Sequence, residues 1–104
     1  MSEAIVVLVT LPSMEEAQAL GRTLVEERLV ACANLLPPIR SIYRWEGEVQ
    51  EGNEVLVLLK STTARFEALR ARVVELHPYA CPEVIALPVQ QGHEPYLRWI
   101  DESV

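Results

Sequence analysis

The sequence is poor in the patterns that mark most catalytic and metal-holding folds, and each shortage narrows what the chain can be. It has two cysteines, Cys32 and Cys81, which form no CxxC pair and no disulfide framework, so both read as reduced thiols. Its four glycines include no phosphate-cradling run, and it has no serine elbow and no HExxH helix. A thiol mechanism would need Cys and His oriented on one another, and nothing in their spacing does this; no catalytic residue is assigned and the chain is not read as an enzyme. Basic residues are scarce. Nine Lys and Arg against fifteen Asp and Glu leave a net charge of −6, which argues against a nucleic-acid partner or an anionic membrane, since both need basic surface. The apolar run Ala4 to Leu11 is too short to span a bilayer, and Met1-Ser2-Glu3 offers no basic leader, so a cytoplasmic location is expected.

What is present is a sequence of 104 residues, half of them apolar, too hydrophobic for disorder and of a length that suits one domain over residues 1–104. The stretch Ser41 to Lys60 organises it. Aromatic and β-branched residues flank Glu46-Gly47, a pair that can supply the positive φ angles of a two-residue turn, so a long β-hairpin is predicted, with Gly52-Asn53 as a second irregularity or an alternative turn. Counted back from the turn to Ala33, the first arm is about 40 Å long at roughly 3.3 Å per residue. A compact domain of this size is only about 30 to 35 Å across. The tip should overhang, leaving Tyr43 and Trp45 to be covered by another copy of the chain.

In chain order, Ile5 to Leu11 reads as a strand ended by Pro12. Ser13 and Glu16 fit a capping box, so a helix is predicted from Met14 to near Leu29, with Ala17, Leu20, Gly21 and Leu24 as its apolar stripe and Val25 at the margin. A second strand enters through Val30 to Leu36, meets a bulge or edge position at Pro37-Pro38 and resumes at Ile39. After the hairpin, Ser61-Thr62-Thr63 supply capping hydroxyls for a second helix whose apolar side is Phe66, Leu69, Val73 and Leu76, ending at His77-Pro78. Glu83 to Val89 is a fourth strand, and Pro95 opens a short terminal helix carrying Tyr96, Trp99 and Ile100. The order β-α-β-β-α-β is that of a ferredoxin-like α+β sandwich with both main helices on one face of an antiparallel sheet.

Such a sheet should alternate apolar and polar residues, yet Ile5 to Val9, Val55 to Leu59 and Val84 to Leu87 are apolar at every position. Both faces are therefore expected to be dry, and the second can only be covered by other copies. At about 25 cal/mol per Å², some 600 Å² of apolar surface represents roughly 15 kcal/mol before association costs. A tight homo-oligomer is predicted.

Candidate chemistry concentrates in His77-Pro78-Tyr79-Ala80-Cys81-Pro82-Glu83, which gathers an imidazole, a phenol, a thiol and a carboxylate. A soft or borderline metal such as copper or zinc could use His77 with Cys32 or Cys81 and Glu83. The structural alternative has His77 capping a helix C-terminus and Glu83 paired with an arginine. Cys32 otherwise reads as a small core residue. Lys60, the only lysine, either holds an anion with the amides of Ser61-Thr62-Thr63 or reaches out to water. Tyr43 and Trp45 read as interface anchors, with ligand stacking as the alternative.

Ala31-Cys32-Ala33-Asn34, Ser41-Ile42-Tyr43-Arg44-Trp45-Glu46-Gly47, Lys60-Ser61-Thr62, His77-Pro78-Tyr79 with Pro82-Glu83, and then Tyr96 and Trp99 resemble the CutA divalent-cation tolerance family over nearly the whole chain. The resemblance implies a ferredoxin-like protomer in a homotrimer similar in build to the PII signalling proteins, acting in tolerance of copper and other divalent cations. It also implies where a metal would sit. Some members carry a cysteine where this chain has Val9 and a second histidine where it has Leu76; His77 is shared, so Cys32 and Glu83 would complete the ligand set. A PII-like trimer would alternatively bind a small effector in intersubunit clefts lined by Trp45, Lys60, Tyr79 and Glu83, and a scaffold presenting surfaces to another protein is a third reading.

Overall fold

A computed structural model describes residues 3–104; the start Met1-Ser2, on which the expectation of no leader partly rests, lies outside the described residues. The elements are β1 (Ala4–Leu11), α1 (Met14–Glu26), β2 (Cys32–Trp45), β3 (Glu48–Thr62), α2 (Phe66–Leu76), β4 (Ile85–Pro88) and α3 (Glu94–Ser103), with a single 3-10 turn, Thr63–Arg65, before α2. The strands form one sheet in the order β2-β3-β1-β4, antiparallel throughout. This is the predicted α+β arrangement.

The core lies on one face of that sheet. Ile5, Val7, Val9 and Leu11 of β1 and Val55, Val57 and Leu59 of β3 pack against Ala17, Leu20 and Leu24 of α1 and Leu69 and Val73 of α2. At Gly21 α1 lies close against β2, since a Cβ there would meet the Ala33 Cβ at 3.1 Å. Two residues expected on the helices' apolar stripes, Val25 and Leu76, are instead exposed.

At the start of α1 Ser13 Oγ accepts from the Glu16 N–H at 3.2 Å, the N-cap half of the expected capping box. Its end comes earlier than Leu29. Arg28 adopts φ 59°, and the N–H groups of Arg28 and Leu29 turn back to the carbonyls of Val25 and Leu24, the double bond of a Schellman exit. Arg65 donates from Nε and Nη2 to the Arg28 carbonyl and so fixes this turn. The strand after it therefore begins at Cys32 rather than Val30.

In β2 the predicted irregularity falls at Pro37-Pro38, where the register shifts between Leu36 and Ile39. The hairpin turn is Glu46-Gly47, with φ of 51° and 80°, the positive pair that a primed turn requires. Gly52 is no turn; it pairs with Ser41 inside the ladder. The molecule measures 43 Å along its longest axis against 25 and 23 Å across, and Ile42, Tyr43, Trp45 and Val49 are exposed along the projecting arms.

Two further expectations need correction. Ser61 and Thr62 do not cap α2: both are buried at the end of β3, and Ser61 Oγ donates to the Leu29 carbonyl at 2.7 Å. β4 is shorter than Glu83 to Val89, because the Thr10 carbonyl, which an extended β4 would need, is bonded by His77. Within the single chain the strands alternate in burial, as in Val55 to Leu59, where Leu56 and Leu58 are only partly covered. Within one chain the second face is half open. Among the described residues only α3 lies over it, with Ile100 buried and Tyr96 reaching Cys32, and no helix is long and apolar enough to cross a membrane.

Candidate functional site

His77 closes α2 and turns its ring onto β1. The C-cap N–H bonds the Val73 carbonyl, while the ring Nε2 lies 2.7 Å from the Thr10 carbonyl and Nδ1 lies 3.1 Å from the Tyr79 N–H. A carbonyl can only accept and an amide N–H can only donate, so Nε2 carries the proton and Nδ1 accepts. Both nitrogens are thereby used. The Tyr79 ring packs 4.8 Å from the imidazole, centroid to centroid, and its hydroxyl donates to Glu54 Oε2 at 2.8 Å. Burial, followed by that bond to a carboxylate, pushes the Tyr79 phenol well above its usual range. Glu83 finds no arginine among the described residues. Burial, followed by the nearby Glu54 carboxylate of β3, raises its pKa.

A second polar group sits at the opposite end of the sheet. Cys32, Lys60, Val6 and Leu87 occupy one row across the four strands and share the face away from α1 and α2. The Lys60 Nζ donates to Asn34 Oδ1, the Cys32 thiol lies 3.9 Å from the same oxygen, and the Tyr96 hydroxyl lies 3.7 Å from Cys32 Sγ. The contact with Cys32 and partial burial raise the Tyr96 pKa. Cys32 is therefore a half-buried thiol in a polar cluster rather than a core residue. Asn34 and Glu54 complete the two clusters; neither was given a role from the sequence, where a lone amide and a lone carboxylate on apolar strands carry no spacing signal.

The residues proposed for metal binding are not brought together in one chain. Cys32 is level with Val6 and His77 with Thr10, four residues apart along β1, or about 13 Å. Among the described residues no three His, Cys, Asp or Glu side chains converge as a metal site. Copper does not fit His77, Cys32 and Glu83 of a single chain, both because of that separation and because the imidazole has no free lone pair. Cys81, the other thiol, is exposed. The proposed cleft residues are likewise spread out, with Lys60 at one end of β3, Tyr79 on Glu54 in its middle and Trp45 paired with Glu48 at the hairpin tip.

Residues 5–103 match the family model described as CutA1 divalent ion tolerance protein. The divalent-cation tolerance protein CutA of Thermus thermophilus is 52% identical over 98 residues, covering 94% of this chain and 95% of that protein. The protein CutA of Mus musculus is 47% identical over 94 residues, 90% of this chain, which spans about half of the mouse protein, 53%. The solved structure of the divalent cation tolerance protein Cut A1 from Thermus thermophilus superposes with a TM-score of 0.94 at 51% identity, covering 96% of this chain and 97% of that one. The chain belongs to the CutA1 divalent ion tolerance protein family.

Proposed function

We propose that the protein acts in divalent-cation tolerance, in the cytoplasm, as a homotrimer whose copies bury the second faces of their sheets. The observation that carries this reading is that face. Leu36, Ile85 and Leu87 are 41%, 51% and 50% exposed, beside the partly covered Val6, Leu8, Leu56 and Leu58. The exposed Tyr43 and Trp45 on the overhanging hairpin are the natural anchors for a neighbouring copy. The family resemblance, rather than the surface itself, sets the number of copies at three. A copper or other divalent cation held by Cys32, His77 and Glu83 would then have to be met by more than one copy, and at His77 only by displacing Thr10 or Tyr79 from the ring.

The second reading is a PII-like trimer that takes a small effector in its clefts. Lys60 favours it, since the ammonium stands on the face that would be buried and no carboxylate lies within ion-pair distance among the described residues.

Light scattering tests the assembly: a mass of about three times 11.7 kDa is expected, and a folded single-copy species at micromolar concentration would overturn it. Calorimetric titration of the reduced trimer with Cu(I), Cu(II) and Zn(II), with His77→Ala alongside, tests the cation. Saturable heats supported by His77 are expected of a direct site, and heats indifferent to His77→Ala would remove that residue as a ligand.

A further inference from the structure

We infer that Lys60 of one copy forms an ion pair with the Glu54 and Glu83 carboxylates of the next, so that each chain carries both halves of a docking contact at opposite ends of one sheet face. The inference rests on the assembly proposed above and adds which residues meet in it.

Strand register sorts the charges by face. Residues opposite one another on paired strands share a face, so Lys60 stands with Cys32, Val6 and Leu87, and Glu54 with Ile39, on the side away from α1 and α2. Lys60 and Glu54 are six positions apart in β3, an even number, which puts them on this face together but about 20 Å from each other. They cannot meet within one copy. Arg40 and Arg44 pair with Asn53 and Val49, which alternate with Glu54, and so stand on the opposite side of the hairpin. Arg22, Arg70 and Arg72 belong to the helices of the other layer. Arg65 and Arg28 are committed to the carbonyls of Arg28 and Glu102, and Arg98 of α3 has Glu94 at 3.8 Å. Among the described strand residues Lys60 is the one cation of this face.

The far end of the face is acidic. Glu54 accepts from the Tyr79 hydroxyl at 2.8 Å through one carboxylate oxygen, and among the described residues neither Glu54 nor Glu83 has a cation within ion-pair distance. Both side chains are already partly covered in the single chain, and burial, followed by the Glu54 carboxylate, raises the Glu83 pKa. Between the two ends lie Leu56 and Leu58, the apolar ground that a neighbour would cover. A neighbour that covers the acidic end without a cation desolvates the carboxylates further. One that covers the other end without an anion does the same to an ammonium held only by the neutral Asn34 amide. Seating one end on the other meets both needs at once, and a contact between two different patches is the kind that closes into a ring.

The test uses the full chain. A water-soluble carbodiimide joins an amine to a carboxylate with no spacer, and Lys60 is the only lysine, so an amide between Lys60 and Glu54 or Glu83 can arise only between copies. Covalent dimers and trimers carrying one of these links, identified by peptide mass, are expected on a denaturing gel. Lys60 joined to a different carboxylate would overturn the pair. Charge exchange gives a second measurement, with light scattering in a fixed urea concentration reporting where copies separate and circular dichroism confirming that each variant is folded. Lys60→Glu and Glu83→Lys should each raise the concentration at half dissociation at least tenfold, and the two together should recover most of that loss. Losses that multiply in the double variant would overturn the pair. Arg70→Met, on α2, should dissociate as the wild type does. A wild type that is a single copy overturns the assembly and the pair with it. An intact trimer with neither link and with multiplying losses overturns the pair alone.

Discussion

The imidazole of His77 bridges Thr10 and Tyr79, donating from Nε2 to the Thr10 carbonyl at 2.7 Å and accepting at Nδ1 from the Tyr79 N–H at 3.1 Å. One side chain thus ties the end of β1 to the loop that follows α2 and terminates the pairing of β4. The ring is 8% exposed, so the groups it satisfies have little access to water.

Replacing His77 by Ala leaves a carbonyl and an amide N–H without partners. A loss of about 1–3 kcal/mol in folding stability is expected, read from urea unfolding of variant and wild type under identical protein concentration. An unchanged midpoint would mean that water replaces the imidazole and that the ring has no structural role.

The partly buried Glu83 carboxylate predicts an acid-side gain in stability. Glu83 has its pKa raised in the fold by burial and by Glu54, so the folded chain binds that proton more tightly than the unfolded chain does. Its contribution is fully present below the unfolded value of about 4.3 and is lost as pH rises through the folded value. Glu27, held low by its hydrogen bond to Arg72, works in the opposite sense: its contribution is present above the unfolded value and fades as pH falls through the folded one. Glu83→Gln should therefore raise Tm at pH 7 and leave it nearly unchanged at pH 4. A Tm difference that does not vary with pH would rule out Glu83 ionisation as its origin.

At Gly21 the sign of a substitution depends on its size. Alanine gains about 0.5–1 kcal/mol of helix propensity but presses a Cβ against Ala33 at 3.1 Å, so Gly21→Ala should stay within about 1 kcal/mol of neutral by denaturant titration. Gly21→Leu cannot be accommodated without moving α1 off β2, and a loss of about 1–3 kcal/mol is expected. A stable Gly21→Leu would show that the helix can lift freely.

Glu46 takes φ 51° without the local bonding that makes asparagine tolerant of that region. Glu46→Asn creates the Asn-Gly pair favoured in primed turns, and a rise in Tm of a few degrees is expected. No change would place the tip outside the cooperative unit.

Leu87→Glu sets a carboxylate on the half-exposed face beside Val6. If that face is covered by other copies, light scattering should report a smaller species at micromolar concentration, with the circular dichroism of the helices retained. A mass equal to that of the wild type would show that Leu87 is not in the contact.

Much of this was written into local chemistry. The capping box at Ser13, the bulge at Pro37-Pro38 and the Glu46-Gly47 turn each depend on residues within four positions of one another, and the register of apolar strands follows once a core face exists. Ser61 misled because a hydroxyl near a helix start looks the same whether it caps that helix or, as here, reaches 32 residues back to the Leu29 carbonyl. The two candidate clusters were legible only in part. His77, Tyr79 and Glu83 are close in sequence, whereas Glu54 and Asn34 join them only through strand pairing and loop docking.

The amino-acid order by itself determined the strands, the helices and the family, because periodicity, caps and motif residues are short-range properties that survive without coordinates. Tertiary structure alone decided what the polar side chains do. Register brings Cys32 level with Lys60 and leaves His77 four residues away along β1, and a contact between strands cannot be read from either strand alone.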